Sequence, residues 1–183
     1  MLLLLIRHAA ADEQDPEKYP DDALRPLIPK GRKRHRRAMA RLREAGYRPN
    51  RILSSPWTRA WQTAGISAKV MGLPKRERVT CDALAAPPDL KAIAAAVTAA
   101  VAAPAATELP PPALAAMPAE DDTPEPFTVA LVGHEPWMSE LASLLLTGRA
   151  SGLHIDFPKS GTMGIEVEDL SPGAGLLRFF LEG

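Results

Sequence analysis

Four side chains of this sequence have the chemistry to bind and transfer a phosphoryl group. Arg7 and His8 directly follow an apolar run. Arg59 lies early in a predicted helix, and His134 ends a second apolar run. Arginines present planar, permanently charged forks that match phosphoryl oxygens. One imidazole can attack phosphorus, while a second histidine, if protonated, neutralises the equatorial oxygens. These residue types therefore predict metal-free phosphoryl transfer through a phosphohistidine intermediate.

The elements that must position these side chains alternate between strand and helix. Apolar runs without polar alternation are typical of strands covered on both faces, and their alternation with helices predicts a three-layer α/β/α fold with a mostly parallel central sheet. In such folds chemistry collects beyond the carboxyl ends of the strands. Predicted strands span 2–6, 51–53, 127–132, 164–167 and 176–181, and predicted helices span 30–45, 56–71, 89–103 and 137–148.

A helix start is predicted just before Arg59. Ser55 supplies a hydroxyl that could cap free N–H groups, and Pro56 suits a first helical position that needs no N–H. A helix N-terminus beside Arg59 would add free N–H groups and a positive dipole end to an anion site.

Length and composition predict one domain over residues 1–183. The 183 residues and 19.7 kDa suit a single core. Nine of the 19 prolines fall between residues 87 and 126, where alanines fill much of the rest. Because residues 104–126 lack apolar periodicity, we expect a Pro/Ala-rich surface excursion there rather than a linker between domains.

Charge and cysteine content narrow the classes of partner and compartment. The 22 basic and 22 acidic residues balance, which argues against nucleic acid and an anionic membrane as partners. The single Cys81 excludes an intrachain disulfide framework and a multi-cysteine zinc site. The run 2–6 is too short for a membrane span or a signal peptide. We expect a cytoplasmic protein that needs no metal or cofactor.

Several motifs resemble one known family. Residues 5–9 (LIRHA) resemble the Arg-His motif of the histidine phosphatase (phosphoglycerate mutase-like) superfamily. Residues 54–64 resemble its second motif, and residues 132–136 (VGHEP) resemble its third. Residues 25–27 (RPL), followed by Gly31, are similar to the short branch of bacterial phosphohistidine phosphatases of the SixA type. Three motifs in the right order, each at a strand-to-helix junction, form a specific signature.

The resemblance implies a role for each residue of the site. His8 would be the nucleophile that becomes transiently phosphorylated, and Arg7 and Arg59 would hold the phosphoryl oxygens. His134 would complete the pocket, and Arg25 would contact the phosphate or the leaving group. Because the attacking nitrogen must be unprotonated, activity is expected to fall as the pH drops below the histidine range.

The region expected to supply a general acid lacks a carboxylate. Superfamily members acting on phosphate esters usually place Glu or Asp in the loop after the third strand, which by chain order is residues 83–88. Asp82 and Asp89 flank this loop, and either could reach in. An alkoxide leaving group needs a proton, whereas the P–N bond of phosphohistidine is less demanding. The sequence therefore favours a protein phosphohistidine phosphatase, with a small-molecule phosphomonoester phosphatase as the alternative.

A basic run on the helix at 30–43 supports a hypothesis from a different class. It could serve a phosphate- or nucleic-acid-binding module, although the zero net charge and the lack of interleaved aromatic residues favour a solvated face. A third interpretation is that this face docks an acidic protein partner, such as a phosphohistidine-containing domain.

Five other residues receive structural interpretations. His35 and His154 are predicted to be surface or loop histidines. Trp57 and Trp61, four residues apart on a helix, are predicted to pack rather than to bind substrate. Cys81 is predicted to be a small buried residue.

Overall fold

The structure, a computed structural model, describes residues 1–104 and 126–183 and contains one six-stranded sheet flanked by helices. The Pro/Ala-rich excursion predicted at about 104–126 lies outside the described residues except at its two ends. The strands are β1 (Leu2–Arg7), β2 (Arg51–Ser54), β3 (Arg78–Thr80), β4 (Thr128–Gly133), β5 (Thr162–Val167) and β6 (Gly175–Leu181). The helices are α1 (Pro29–Glu44), α2 (Thr58–Met71), α3 (Leu90–Ala102) and α4 (Trp137–Thr147).

The sheet has the order β3-β2-β4-β1-β5-β6. Strands β3, β2, β4 and β1 are parallel, whereas β5 pairs antiparallel with β1 and β6 pairs antiparallel with β5. The predicted mostly parallel sheet is confirmed. Among helices within the described ranges, none is long and apolar enough to cross a membrane.

The apolar residues of β1 supply both faces of the sheet. Leu3 and Leu5 pack in the cluster that α3 and α4 cover. Leu2, Leu4 and Ile6 pack in the cluster on the other face, under α1 and α2. Because successive strand side chains point to opposite faces, one uninterrupted apolar run can serve two cores. The predicted three-layer architecture is confirmed.

The predicted start of α2 is wrong by two residues. The helix begins at Thr58, and no side chain caps it at Trp57. The Ser55 hydroxyl lies 3.3 Å from the Trp57 amide but also 2.8 Å from Nε2 of His134. Ser55 therefore contributes to the contacts at the sheet edge instead of capping the helix.

The edge strand β3 was not predicted, whereas the predictions for Cys81 and His154 are confirmed. Strand β3 is short and lies at the sheet edge, and its central residue Val79 is 46% exposed, so it lacks the apolar run of the other parallel strands. Cys81 is buried as a free thiol, as predicted. His154 lies exposed outside any helix or strand, also as predicted.

The prediction for His35 is wrong, because this residue is fully buried within α1. Its Nε2 lies 2.8 Å from the hydroxyl of Ser67, which itself donates to the carbonyl of Thr63. Burial lowers the pKa of His35 from 6.5 to about 4. The basic residues around His35 suggested an exposed helix face, whereas His35 lies on the face of α1 that packs against α2.

His35 is expected to make the folded protein less stable in acid. The unfolded chain takes up a proton near pH 6.5, whereas the folded protein resists it down to about pH 4. Its contribution is therefore complete above pH 6.5 and is lost as the pH falls through this interval. The unfolding free energy can be measured in urea at several pH values between 7 and 4.5. It should fall less steeply with decreasing pH in His35→Gln than in the wild type, by up to about 1.4 kcal/mol per pH unit. Parallel profiles for the two proteins would contradict this assignment.

Candidate active site

The parallel register of β1 and β4 brings the two predicted site histidines together. Arg7 pairs with Gly133 across the two strands, so His8 and His134 are the next residues at the same sheet edge. The His8 amide donates to the carbonyl of Gly133 at 3.0 Å. The centroids of the two imidazole rings lie 5.1 Å apart.

His8 is held in the tautomer that an attacking imidazole requires. Its Nδ1 lies 2.7 Å from the carbonyl oxygen of Ala9, and because a carbonyl can only accept, Nδ1 carries the proton. Nε2 then keeps its lone pair. Burial lowers the pKa of His8 from 6.5 to about 3, and the charges of Arg59 and Arg7 add to this effect. The ring is therefore neutral at neutral pH.

The low pKa of His8 changes the expected pH dependence of the chemistry. The ring stays neutral, as an attacking imidazole must be, down to about pH 3. The sequence predicted that activity falls in acid. Because kcat/KM reports the pKa values of the free protein, its fall in acid should lie well below the ordinary histidine range.

A hydroxyl ties the loop after His8 to the helix that carries Arg59. Thr63, one turn further along α2, accepts a hydrogen bond from the Ala9 amide at 3.0 Å. The same hydroxyl donates to the carbonyl of Arg59 at 2.7 Å. This bridge fixes the first turn of α2 relative to the nucleophile candidate.

His134 lies among aromatic rings and is neutral in the free site. Its ring centroid lies 4.5 Å from that of Trp57 and 6.0 Å from that of Trp137. Burial lowers its pKa to about 3, and the neighbouring His8 and Arg59 lower it further. The protonated second histidine considered from the sequence is therefore not the form present before an anion binds.

Trp57 packs, as predicted, and the side chains it contacts belong to the candidate site. Besides the contact with His134, its ring lies under the guanidinium of Arg59, with Cζ 4.6 Å from the ring centroid. Trp61, in contrast, stacks under Arg78 at 3.9 Å, as a packing role requires.

Arg7 is anchored at the edge by the segment before β5. One Nη donates to the carbonyl of Phe157 at 2.5 Å, and its Nε is buried without a partner among the described residues. The Ser160 amide donates to the carbonyl of Arg7 at 3.2 Å. Lys159, between them in sequence, is exposed and adds positive charge near His8. The site is therefore strongly cationic.

Arg59 is buried, and the carboxylate and main-chain oxygen of Asp22 already hold its two outer nitrogens. Its Nη2 lies 3.0 Å from Oδ2 of Asp22, and its Nη1 donates to the main-chain oxygen of the same residue at 2.8 Å. Asp22 was missed in the sequence analysis. The only sequence signal was its position three residues before Arg25.

Arg25 reaches the site through the same carboxylate. Its Nε donates to Oδ1 of Asp22 at 2.8 Å, and its Nη1 donates to the carbonyl of Asp12 at 2.7 Å. The hydrogen bond from Arg25, followed by the charge of Arg59, lowers the pKa of Asp22. Asp22 thus bridges two arginines and stays ionised.

The two carboxylates that flank the loop at 83–88 have different environments. Asp89 accepts from the amide of Ala92 at 3.1 Å and caps α3, while Asp82 is exposed at the start of a short 3₁₀ turn. Glu135 is a third carboxyl, next to His134 in sequence, and burial raises its pKa. It accepts from the hydroxyl of Ser139 at 2.5 Å.

A metal centre has no basis in the part of the chain that the structure describes. Within residues 1–104 and 126–183, no three His, Cys, Asp or Glu side chains are grouped so that they could hold a metal ion.

Comparisons with known proteins bear on the family resemblance and the fold. Residues 3–82 match the family model of the histidine phosphatase superfamily (branch 1). This stretch includes Arg7, His8, Arg25 and Arg59. No curated protein matches the sequence significantly.

Several solved structures share this fold. The protein histidine phosphatase SixA complexed with tungstate is 20% identical with a TM-score of 0.70, and the match covers 100% of this chain and 97% of that one. A protein from Agrobacterium tumefaciens that is assigned to the SixA phosphohistidine phosphatases is 20% identical with a TM-score of 0.66, and the match covers 100% of this chain and 98% of that one. The mycobacterial glucosyl-3-phosphoglycerate phosphatase complexed with VO3 is 17% identical with a TM-score of 0.64, covering 100% and 99%. The resemblance predicted from the motifs is therefore confirmed, and the chain has the phosphoglycerate mutase-like fold.

Proposed function

We propose that this protein is a metal-independent phosphatase that forms a phosphohistidine intermediate on His8. The observation that carries the proposal is the state of His8: a neutral ring whose Nδ1 proton is bound to the Ala9 carbonyl, which leaves the lone pair on Nε2. Arg59 and His134 lie close to this ring in the same cationic site.

The reaction follows from this arrangement in two displacements. The Nε2 lone pair of His8 attacks the substrate phosphorus, a P–N bond forms, and the bond from phosphorus to the leaving group breaks. The leaving group departs with that electron pair and is protonated. Water then attacks phosphorus, the P–Nε2 bond breaks, and inorganic phosphate leaves. Arg7 and Arg59 would stabilise the oxygens of the transferring group in both steps, as would His134.

The preferred substrate is a phosphohistidine-containing protein. The loop at 83–88 carries no carboxylate, Asp89 is engaged as a helix cap, and Asp82 is exposed. When phosphohistidine is the substrate, the leaving group is a histidine whose imidazole can be protonated by solvent. This reaction therefore does not require a carboxylic acid in the site. The alternative is a small phosphomonoester, which the likeness to the mycobacterial phosphatase supports. For such an ester, Glu135 would be the candidate general acid, because burial raises its pKa.

One comparison of substrates tests the proposal. Wild-type protein with EDTA present should hydrolyse a histidine-phosphorylated protein with a higher kcat/KM than p-nitrophenyl phosphate. A higher kcat/KM for the aryl ester would be consistent with the proposed mechanism but would indicate that the substrate is a small phosphoester. Turnover of both substrates that stops with EDTA and returns with a divalent metal would contradict metal independence.

We also propose that residues 1–183 form one domain. Strand β4, which follows the Pro/Ala-rich excursion, inserts between β1 and β2 of the same sheet. Neither half of the chain therefore has a complete sheet alone. A cytoplasmic location and the lack of nucleic-acid or membrane partners stay predictions from the sequence.

Removing the charge of Asp22 is expected to strengthen phosphate binding. Its carboxylate pairs with Nη2 of Arg59 and would repel an incoming phosphoryl group. Asp22→Asn should therefore lower the inhibition constant for inorganic phosphate by about tenfold, on the scale of one charge-assisted hydrogen bond.

The matched control is Asp21→Asn. Asp21 caps the short 3₁₀ turn Asp22–Leu24 by accepting from the Ala23 amide at 3.0 Å, and it is exposed. This variant should leave the inhibition constant unchanged. Weaker phosphate binding by Asp22→Asn alone would mean that Asp22 chiefly holds Arg59 in place.

A further inference from the structure

A basic groove runs along the exposed stripe of α1. It is open to solvent and has a volume of about 800 Å³. Its charged lining consists of five cations and a single carboxylate: Lys30, Lys33, Arg34, Arg37, Arg41 and Glu44. Their spacing of three or four residues places them on one side of the helix.

Most of the positive charge of this groove has no acidic partner in the described part of the protein, since Glu44 is the one acidic side chain in the lining. Lys30, Lys33, Arg37 and Arg41 form no ion pair with any residue in 1–104 or 126–183. Arg34 donates from Nε to the main-chain oxygen of Gly183 at 2.7 Å. The whole chain has equal numbers of basic and acidic residues, so this excess is local. Like charges on one helix face repel each other, and a bound polyanion would relieve that repulsion.

The groove begins next to the candidate active site. The amide of Ile28, just before α1, donates to the carbonyl of Ala10 at 3.1 Å. A Cβ at Gly31 would clash with the same carbonyl, so only glycine allows the first turn of α1 to lie so close to it. Ala10 is two residues from His8. From Lys30 the basic stripe extends about 16 Å to Arg41, at 1.5 Å per residue.

We propose that this groove docks an acidic face of the phosphorylated protein substrate while its phosphoryl group reaches His8. The inference rests on the proposed function and specifies its substrate class, since a small phosphoester is too short to occupy both places. The charge complementarity is that of a positive stripe for a carboxylate-rich surface. Nucleic acid fits less well, because none of the side chains that line the groove is aromatic and could stack on bases.

A pair of charge-reversal variants tests the docking. Arg37→Glu/Arg41→Glu changes the groove, and Arg36→Glu/Arg43→Glu makes the same change of charge on exposed residues of α1 that do not line it. The substrates are an isolated, net-negative phosphotransfer domain phosphorylated on histidine and p-nitrophenyl phosphate. Assays are run at low ionic strength with EDTA.

The groove variant should raise KM for the phosphorylated domain about tenfold or more, with kcat and aryl ester turnover at wild-type values. The control variant should change KM less than threefold, and salt should raise the wild-type KM. Equal effects of the two variants, or none, would overturn the docking while hydrolysis of the aryl ester still supported the phosphatase. Loss of aryl ester turnover in the groove variant would overturn it as well, as would a groove-dependent affinity for single-stranded RNA without an effect on KM. Wild-type hydrolysis of neither substrate would instead refute the proposed function.

Discussion

His8→Asn is expected to abolish turnover of both a histidine-phosphorylated protein and p-nitrophenyl phosphate, lowering kcat by about 10⁴-fold or more. The reason is chemical rather than structural. Asparagine can still donate from its side-chain amide towards the Ala9 carbonyl, but it has no lone pair basic enough to form the P–N bond. Steady-state assays of the purified variant with EDTA give the measurement.

Two controls separate loss of the nucleophile from loss of the site. The variant should still bind inorganic phosphate by calorimetry, because the arginines stay in place. His154→Asn, at an exposed position outside any helix or strand, should retain wild-type turnover. Activity of His8→Asn within tenfold of wild type would show that another group attacks the substrate.

Arg59→Lys is expected to lower kcat/KM by about 10²- to 10³-fold, the usual effect of removing one preorganised donor at a transition state. Lysine keeps the charge but not the planar fork that reaches two oxygens at once. It also loses the stacking of the guanidinium on Trp57, with Cζ 4.6 Å from the ring centroid, that fixes the direction of the fork. The measurement is kcat/KM for p-nitrophenyl phosphate.

Arg78→Lys is the matched control for this substitution. Arg78 also stacks on a tryptophan of α2, with Cζ 3.9 Å from the ring of Trp61, and it donates to the carbonyl of that residue. It belongs to the edge strand β3 and contacts neither histidine of the site. Equal losses in the two variants would mean that tryptophan packing, and not phosphate recognition, explains the effect.

The sequence predicted the parts of the site that depend on local signals. The apolar run at 2–6 had to be a covered strand, and the polar pair Arg7-His8 marks its carboxyl end. The same pattern recurs at His134. Parallel pairing then brings such ends to one edge without any further information, which is why His8 and His134 could be placed together.

The features that the sequence did not predict depend on contacts between residues that are distant in sequence. Asp22 meets Arg59 across 37 residues, and nothing in the local pattern around either residue indicates this ion pair. Burial of His35 depends on how α1 packs against Ser67 of α2. The low pKa of His8 likewise follows from burial by several elements, so the sequence alone suggested an ordinary histidine range.

The central claim is a covalent phosphoryl group on His8, and the most direct test is to capture it. Wild-type protein and excess phosphorylated substrate are mixed with EDTA, quenched in alkali within milliseconds to seconds to preserve the P–N bond, and analysed by peptide mass spectrometry. We predict the mass of one phosphoryl group on the peptide containing His8, which disappears as substrate is consumed and is absent in His8→Asn. Full turnover with no phosphorylated enzyme at any time, or with phosphate on a different residue, would contradict the account.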